Sequence, residues 1–141
     1  MLENNIHKIL VGVNGSELST RSIKMAIPIA RLCNATLTGV YVQEIQHKEF
    51  ATVNESEPQQ DDFETKFINE AKALANENDI PFVIEIKKGN PEYIITEMVN
   101  SGEYDLLVVG AHGFRGIRGK LSSDIAKNIV RDSKIPVLTV K

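Results

Sequence analysis

The feature that most restricts the fold of this chain is an alternation. Five short runs rich in aliphatic residues, Lys8–Val13, Ala35–Val42, Phe82–Lys87, Asp105–Val109 and Pro136–Val140, are separated by longer stretches with a helical period. Repeated strand–helix–strand steps close as right-handed crossovers that feed a parallel sheet, with helices on both of its faces. The first and fourth runs, KILVGV and DLLVV, are almost continuously apolar, as strands covered on both faces must be. The third alternates, with Val83, Glu85 and Lys87 on one face, and is read as an edge strand.

The helical stretches carry their own signals. Glu17–Cys33 places Ile23, Met25, Ala26, Ile27 and Ala30 in an apolar stripe. Pro28 inside it removes one backbone hydrogen bond and is expected to kink the helix. Phe63–Asn78 repeats Phe63, Phe67, Ala71, Leu74 and Ala75 at spacings of three and four. Pro91–Asn100 offers Asn90 as N-cap and Pro91 at the first helical position. The last helix, Ser123–Asp132, shows Ile125, Ala126, Ile129 and Val130. Glu44–Asp62 is polar and aperiodic, and reads as a loop or insertion. With no repeat and no linker, residues 1–141 read as a single α/β domain, an open five-stranded parallel sheet, doubly wound.

Composition sets the outer bounds. A formal charge of −3 argues against nucleic acid or an anionic membrane as the main partner. No apolar run approaches the ~18 residues of a bilayer span, and the start MLENNIHK lacks the apolar core of a secretory signal. A lone cysteine, Cys33, fits a reducing compartment, so the expected location is cytoplasmic.

In an open α/β sheet, ligands bind outside the carboxyl ends of the strands, where the winding reverses. Two glycine-bearing turns stand at such ends, Asn14-Gly15-Ser16 and Gly110-Ala111-His112-Gly113. Neither is a standard phosphate motif. Gly119-Lys120 is followed by Leu121, with Phe114 where a P-loop has its first glycine, and the dinucleotide fingerprint is absent. Tight turns after strands account for such glycines equally well.

The order and spacing of several strings resemble the universal stress protein family. They are Ile9-Leu-Val-Gly-Val-Asn-Gly-Ser16 with Ser19 after it, Gly89-x-Pro91, Asp105-Leu-Leu-Val-Val-Gly-Ala-His-Gly113, and the closing Ile135-Pro-Val-Leu-Thr-Val. The resemblance covers nearly the whole chain apart from the polar stretch after Glu44. It implies strand order 3-2-1-4-5, a homodimer paired through the final strand 136–140, and, in many members, an adenine nucleotide (ATP, AMP or cyclic AMP), with Mg²⁺ as a companion of the triphosphate. Regulated protein partners would be of unknown kind. By the resemblance, Gly12, Val13, Asn14, Val42 and Val109 lie toward the nucleoside. Gly110, Gly113, Ser123 and Ile125 supply the phosphate side.

Two departures from the family pattern bear on chemistry. After Gly110 and Gly113 the family has a nine-residue spacer and then Gly-Ser or Gly-Thr, whereas here Phe114–Ser122 is followed by Ser123-Asp124. A carboxylate about 5 Å from a phosphate, at an effective dielectric of about 20, is repelled by roughly 3 kcal/mol, or about two orders of magnitude in affinity. Asp124 equally serves as a stabilising charge at a positive helix end. Asn14 stands where the family usually has aspartate, which keeps an acceptor but loses the charge, and an Asx-turn role explains it as well.

Arg115, with Arg118 and Lys120, could fold over phosphates as charge-assisted donors or form a solvated loop face. His112 has no Cys or Asp at metal spacing and reads as a turn residue. His7 and His47 read as surface residues, and Cys33 as core rather than nucleophile.

The leading expectation is a stress-response regulator that binds nucleotide without turnover. The rival is the same fold without nucleotide binding, acting through protein partners. A slow nucleotide hydrolase would need a base, nucleophile or metal cluster that the sequence does not present.

Overall fold

The structure is a computed structural model that describes residues 3–44, 62–112 and 122–141. The expected alternation is observed in full. β1 (Lys8–Val13), β2 (Thr36–Glu44), β3 (Phe82–Gly89), β4 (Leu106–Gly110) and β5 (Val137–Val140) alternate with α1 (Glu17–Cys33), α2 (Asp62–Glu77), α3 (Pro91–Val99) and α4 (Ser122–Asp132). The five strands form one sheet in the order β3-β2-β1-β4-β5, every pair parallel. Strand ends differ from the sequence reading by one or two residues. β2 and β3 both run on because Gln43 pairs with Lys88 and Glu44 with Gly89. A strand's last polar residues show no apolar signal, yet they keep their ladder bonds.

The period of two in β1 sorts its side chains between two cores. Ile9, Val11 and Val13 face Ile23, Ala26, Ile27 and Ala30 of α1 and Phe67, Ile68, Ala71 and Ala75 of α2. Leu10 faces the opposite cluster with Val40, Val42, Leu107 and Val109, covered by Ile95 and Val99 of α3 and Ile125 and Ile129 of α4. All of β1 beyond Lys8 and all of β4 is buried. β3 is an edge strand, with Val83, Glu85 and Lys87 exposed in alternation. His7 is exposed, and Cys33 packs partly buried against the core. His47 and residues 45–61 of the polar stretch lie outside the described residues.

Local caps place the helices. Ser16 caps α1 with its hydroxyl accepting from the Ser19 amide, and Asn34 closes it in the left-handed conformation at φ 54°. Asn90 caps α3 through the Tyr93 amide, with Pro91 in the first turn, as expected. Three expectations need correction. Met25 is 46% exposed, because two residues after Ile23 a helix has turned about 200° away from the stripe. Val130, next to buried Ile129, lies on the flank of α4 and is also 46% exposed. Phe63, expected in the stripe of α2, is 62% exposed. Pro28 lies inside α1 on its exposed side.

At the amino-terminal edge, Asp105 ties β4 to β1. Its carboxylate accepts from the amides of His7 at 2.8 Å and Lys8 at 3.0 Å, and its own amide donates to the Lys8 carbonyl at 2.8 Å. The two backbone donors hold the Asp105 carboxyl below the usual aspartate range.

Candidate functional site

The site follows from the strand order. β1 leads through α1 to β2 on one side, while β4 lies against its other side and leads outward to β5. Gly12 pairs with Val40 on one neighbour and Val109 on the other. The winding reverses between β1 and β4, so their carboxyl ends open at the place where such sheets take ligands. Gly12, Val13, Val42 and Val109 are all buried there, and Val42, Val109 and Ile125 share the core cluster beneath α3 and α4.

The turn after β1 is a closed hydrogen-bonded knot. The Asn14 side-chain oxygen accepts from the Ser16 amide at 3.1 Å and from the Ser19 hydroxyl at 2.9 Å. The Ser19 hydroxyl accepts from the Asn14 amide at 2.9 Å. The Ser16 carbonyl takes the Ser19 and Thr20 amides at 3.0 and 3.3 Å. Asn14 is thus an Asx-turn residue, and the amides of Asn14, Ser16, Ser19 and Thr20 are already spent. Those four amides are therefore not available to an anion.

Gly15 sits at φ +84°, a conformation natural to glycine. A Cβ there would stand 2.8 Å from Phe63 Cε1 and 3.0 Å from the Tyr41 hydroxyl oxygen. That hydroxyl donates to the Asn14 carbonyl at 3.1 Å. Buried Tyr41 packs its ring 5.9 Å from that of Phe67. Sequence reasoning singled out Val42 and passed over Tyr41. The signal was present, since adjacent strand residues face opposite ways, so Tyr41 had to face α1.

The turn after β4 is tighter than its glycines suggest. A Cβ on Gly110 would meet Leu18 Cδ2 at 2.8 Å and the His112 carbonyl oxygen at 3.0 Å, so close packing by α1 already demands glycine. The Ala111 amide donates to the Val140 carbonyl at 2.8 Å, extending the β4–β5 ladder. The Ala111 amide is therefore spent within the sheet. His112 is exposed. Gly113 and Arg115, with Arg118 and Lys120, lie outside the described residues. Ser123 and Asp124 belong to the first turn of α4, where Asp124 is exposed and Ile125 is buried. An acidic residue there suits the positive helix end.

A separate surface groove of about 320 Å³ runs between α1 and α2, bordered by Ile23, Lys24, Phe67, Ala71 and Leu74, and contains none of the candidate ligand residues. Among the described residues, no three His, Cys, Asp or Glu side chains gather as a metal site. Nor is any helix among them long and apolar enough to cross a membrane.

A parallel sheet wound in both directions, with glycine turns at its reversal point, defines a doubly wound α/β protein. Residues 5–141 match the universal stress protein family, and the chain belongs to that family. It is 25% identical over 146 residues to universal stress protein MJ0531 of Methanocaldococcus jannaschii, covering 99% of this chain and 84% of that protein. A solved universal stress protein in complex with cAMP superposes with a TM-score of 0.71 at 26% identity, covering 96% of this chain and 97% of the other. An Arabidopsis thaliana family member with AMP bound gives a TM-score of 0.61 at 20% identity, covering 96% of this chain and 91% of the other.

Proposed function

We propose that this chain is a regulatory binding protein that holds an adenine nucleotide at the carboxyl ends of β1 and β4, without turnover. The observation that carries the reading is the reversal of winding between those adjacent strands. The solved relative with cAMP supports an adenine ligand. The knot at Asn14, Ser16 and Ser19 has spent its amides, which favours the nucleoside at that turn and the phosphates beyond β4, toward Gly110, Gly113 and the start of α4. There Asp124 weakens a triphosphate more than a monophosphate or a cyclic phosphate, and AMP or cAMP is the better ligand. Mg²⁺ would enter only with the triphosphate. The acting form is a cytoplasmic homodimer paired through β5, which is the sheet's other edge.

Calorimetric titration with AMP, cAMP and ATP, with and without Mg²⁺, tests the reading in the wild type and in Asp124→Ser. Saturable AMP or cAMP binding below millimolar is expected. Removing one exposed carboxylate about 5 Å from the charge recovers roughly 0.8 kcal/mol in water-like dielectric and 3 kcal/mol at a dielectric of about 20. ATP affinity should therefore rise about 4- to 100-fold. An unchanged ATP affinity refutes the electrostatic step. Absence of binding by all three nucleotides leaves the rival, a member of the family that acts through protein partners.

A further inference from the structure

We propose that Phe63 is a specificity-determining residue, forming an aromatic wall for the nucleotide's base. The inference rests on the nucleotide reading above and adds where the base lies.

Phe63 opens α2, and its helical spacing assigns it to the buried stripe with Phe67 and Ala71. The structure takes it out of that stripe. Phe67 and Ala71 are buried, whereas Phe63 is 62% exposed. Its ring edge instead reaches the turn after β1, close enough that a Cβ on Gly15 would stand 2.8 Å from Cε1 and 3.5 Å from Cζ. The glycine makes this approach possible. Glu64, the next residue, accepts from the Gln43 side-chain amide at 2.7 Å, which pins the first turn of α2 to the end of β2. Phe63 is thus held from two sides while most of its surface stays open at the rim of the ligand end of the sheet.

Charge decides which part of a nucleotide this rim accepts. The first turn of α2 carries Asp62 and Glu64 beside Phe63. A phosphate placed there would face two carboxylates, whereas a neutral base would not. A flat apolar ring next to a turn with spent amides offers stacking and little else. The base and the phosphates are therefore held at opposite sides of the β1 turn, the base over Phe63 and the phosphates toward β4. Stacking of a base on an aromatic side chain contributes about 1–3 kcal/mol, or roughly 5- to 100-fold in affinity.

The test is AMP affinity of the full chain by calorimetry for wild type, Phe63→Ala and Phe63→Tyr, with the ring signals of ¹³C-labelled Phe63 followed by NMR in the wild type. The expected result is a loss of about 5-fold or more in Phe63→Ala, retention in Phe63→Tyr, and movement of the Phe63 ring signals on adding AMP. Phe63→Ala binding AMP within about twofold of wild type overturns this inference and leaves the nucleotide reading standing. So does a loss of affinity with no movement of the ring signals, which marks a purely structural role. If Phe63→Ala does not fold, the ring signals decide alone. A wild type that binds no AMP overturns both.

Discussion

Replacing Asp105 by asparagine should lower stability only while the native aspartate is ionised. The carboxylate accepts two backbone amides from residues 98 and 97 positions earlier, at 2.8 and 3.0 Å. Hydrogen bonds to a charged acceptor contribute about 1.5–3 kcal/mol each where water is excluded. Asp105 is only half-buried, so solvent screening reduces the pair to about 1–2 kcal/mol together. Asparagine keeps one neutral acceptor, so part of that is lost. The sign follows from the direction of the shift. The folded group has a lower pKa than the unfolded one, so its stabilisation is complete above the unfolded value of about 3.9 and fades as pH falls through the folded value.

Urea unfolding of wild type and Asp105→Asn at half-unit steps from pH 3 to pH 7 reads this directly. The two midpoints should be separated by a constant gap of about 1 kcal/mol above pH 5, or about 2–4 °C in melting temperature. The gap should close below about pH 4. A gap that persists unchanged at pH 3 would mean that shape, not charge, carries the contact. Equal stabilities at pH 7 would refute the reasoning altogether. The contact bears on the proposed function because it fixes β4 beside β1, and the proposed site needs those strands as neighbours.

Two further outcomes follow from single atoms. Gly15→Ala places a methyl group against Phe63 and the Tyr41 hydroxyl at φ +84°, and should destabilise by about 1–3 kcal/mol at unchanged denaturant slope while weakening AMP binding; a neutral variant would refute the close approach. Thr96→Val should be neutral or stabilising by up to about 1 kcal/mol, because the Thr96 hydroxyl is buried with no partner among the described residues. A denaturant midpoint showing a larger loss would reveal a hydrogen bond at that hydroxyl.

The fold was legible because its signals are periodic. KILVGV and LLVVG can be satisfied only between two layers, and the alternation of Val83, Glu85 and Lys87 can be satisfied only at an edge. The start of α3 was equally plain, since Asn90 acts on an amide three residues away and Pro91 needs no partner at the first helical position. Contacts that cross between elements were not. Asp105 could be placed at a strand start, but its two amide partners lie at the other end of the first crossovers. Leu18 over Gly110 and Phe63 over Gly15 are side chains of helices meeting turns of distant strands. No periodicity records such meetings. Met25 and Val130 were misplaced for the opposite reason, since an apolar residue near a stripe looks the same whether it faces the core or its flank.

Asn14 shows how one side chain can suit two roles. Its side chain suits an Asx turn and a ribose contact alike, and both uses need the same oxygen. The structure gives that oxygen to the Ser16 amide and the Ser19 hydroxyl. An aspartate in its place could accept the same two donors and keep a second oxygen for a ligand; asparagine presents an amide nitrogen at that position instead. The turn is therefore built to shape the end of β1 more than to grip a polar group. On the proposed reading, recognition then shifts to what borders the turn, namely the main chain of β1 and β4 and the apolar surface set against Gly15. On the proposed nucleotide reading, a largely saturated turn serves as frame and neighbouring elements as contacts, so ligand preference would rest on residues such as Phe63 and Asp124 outside the glycine motifs.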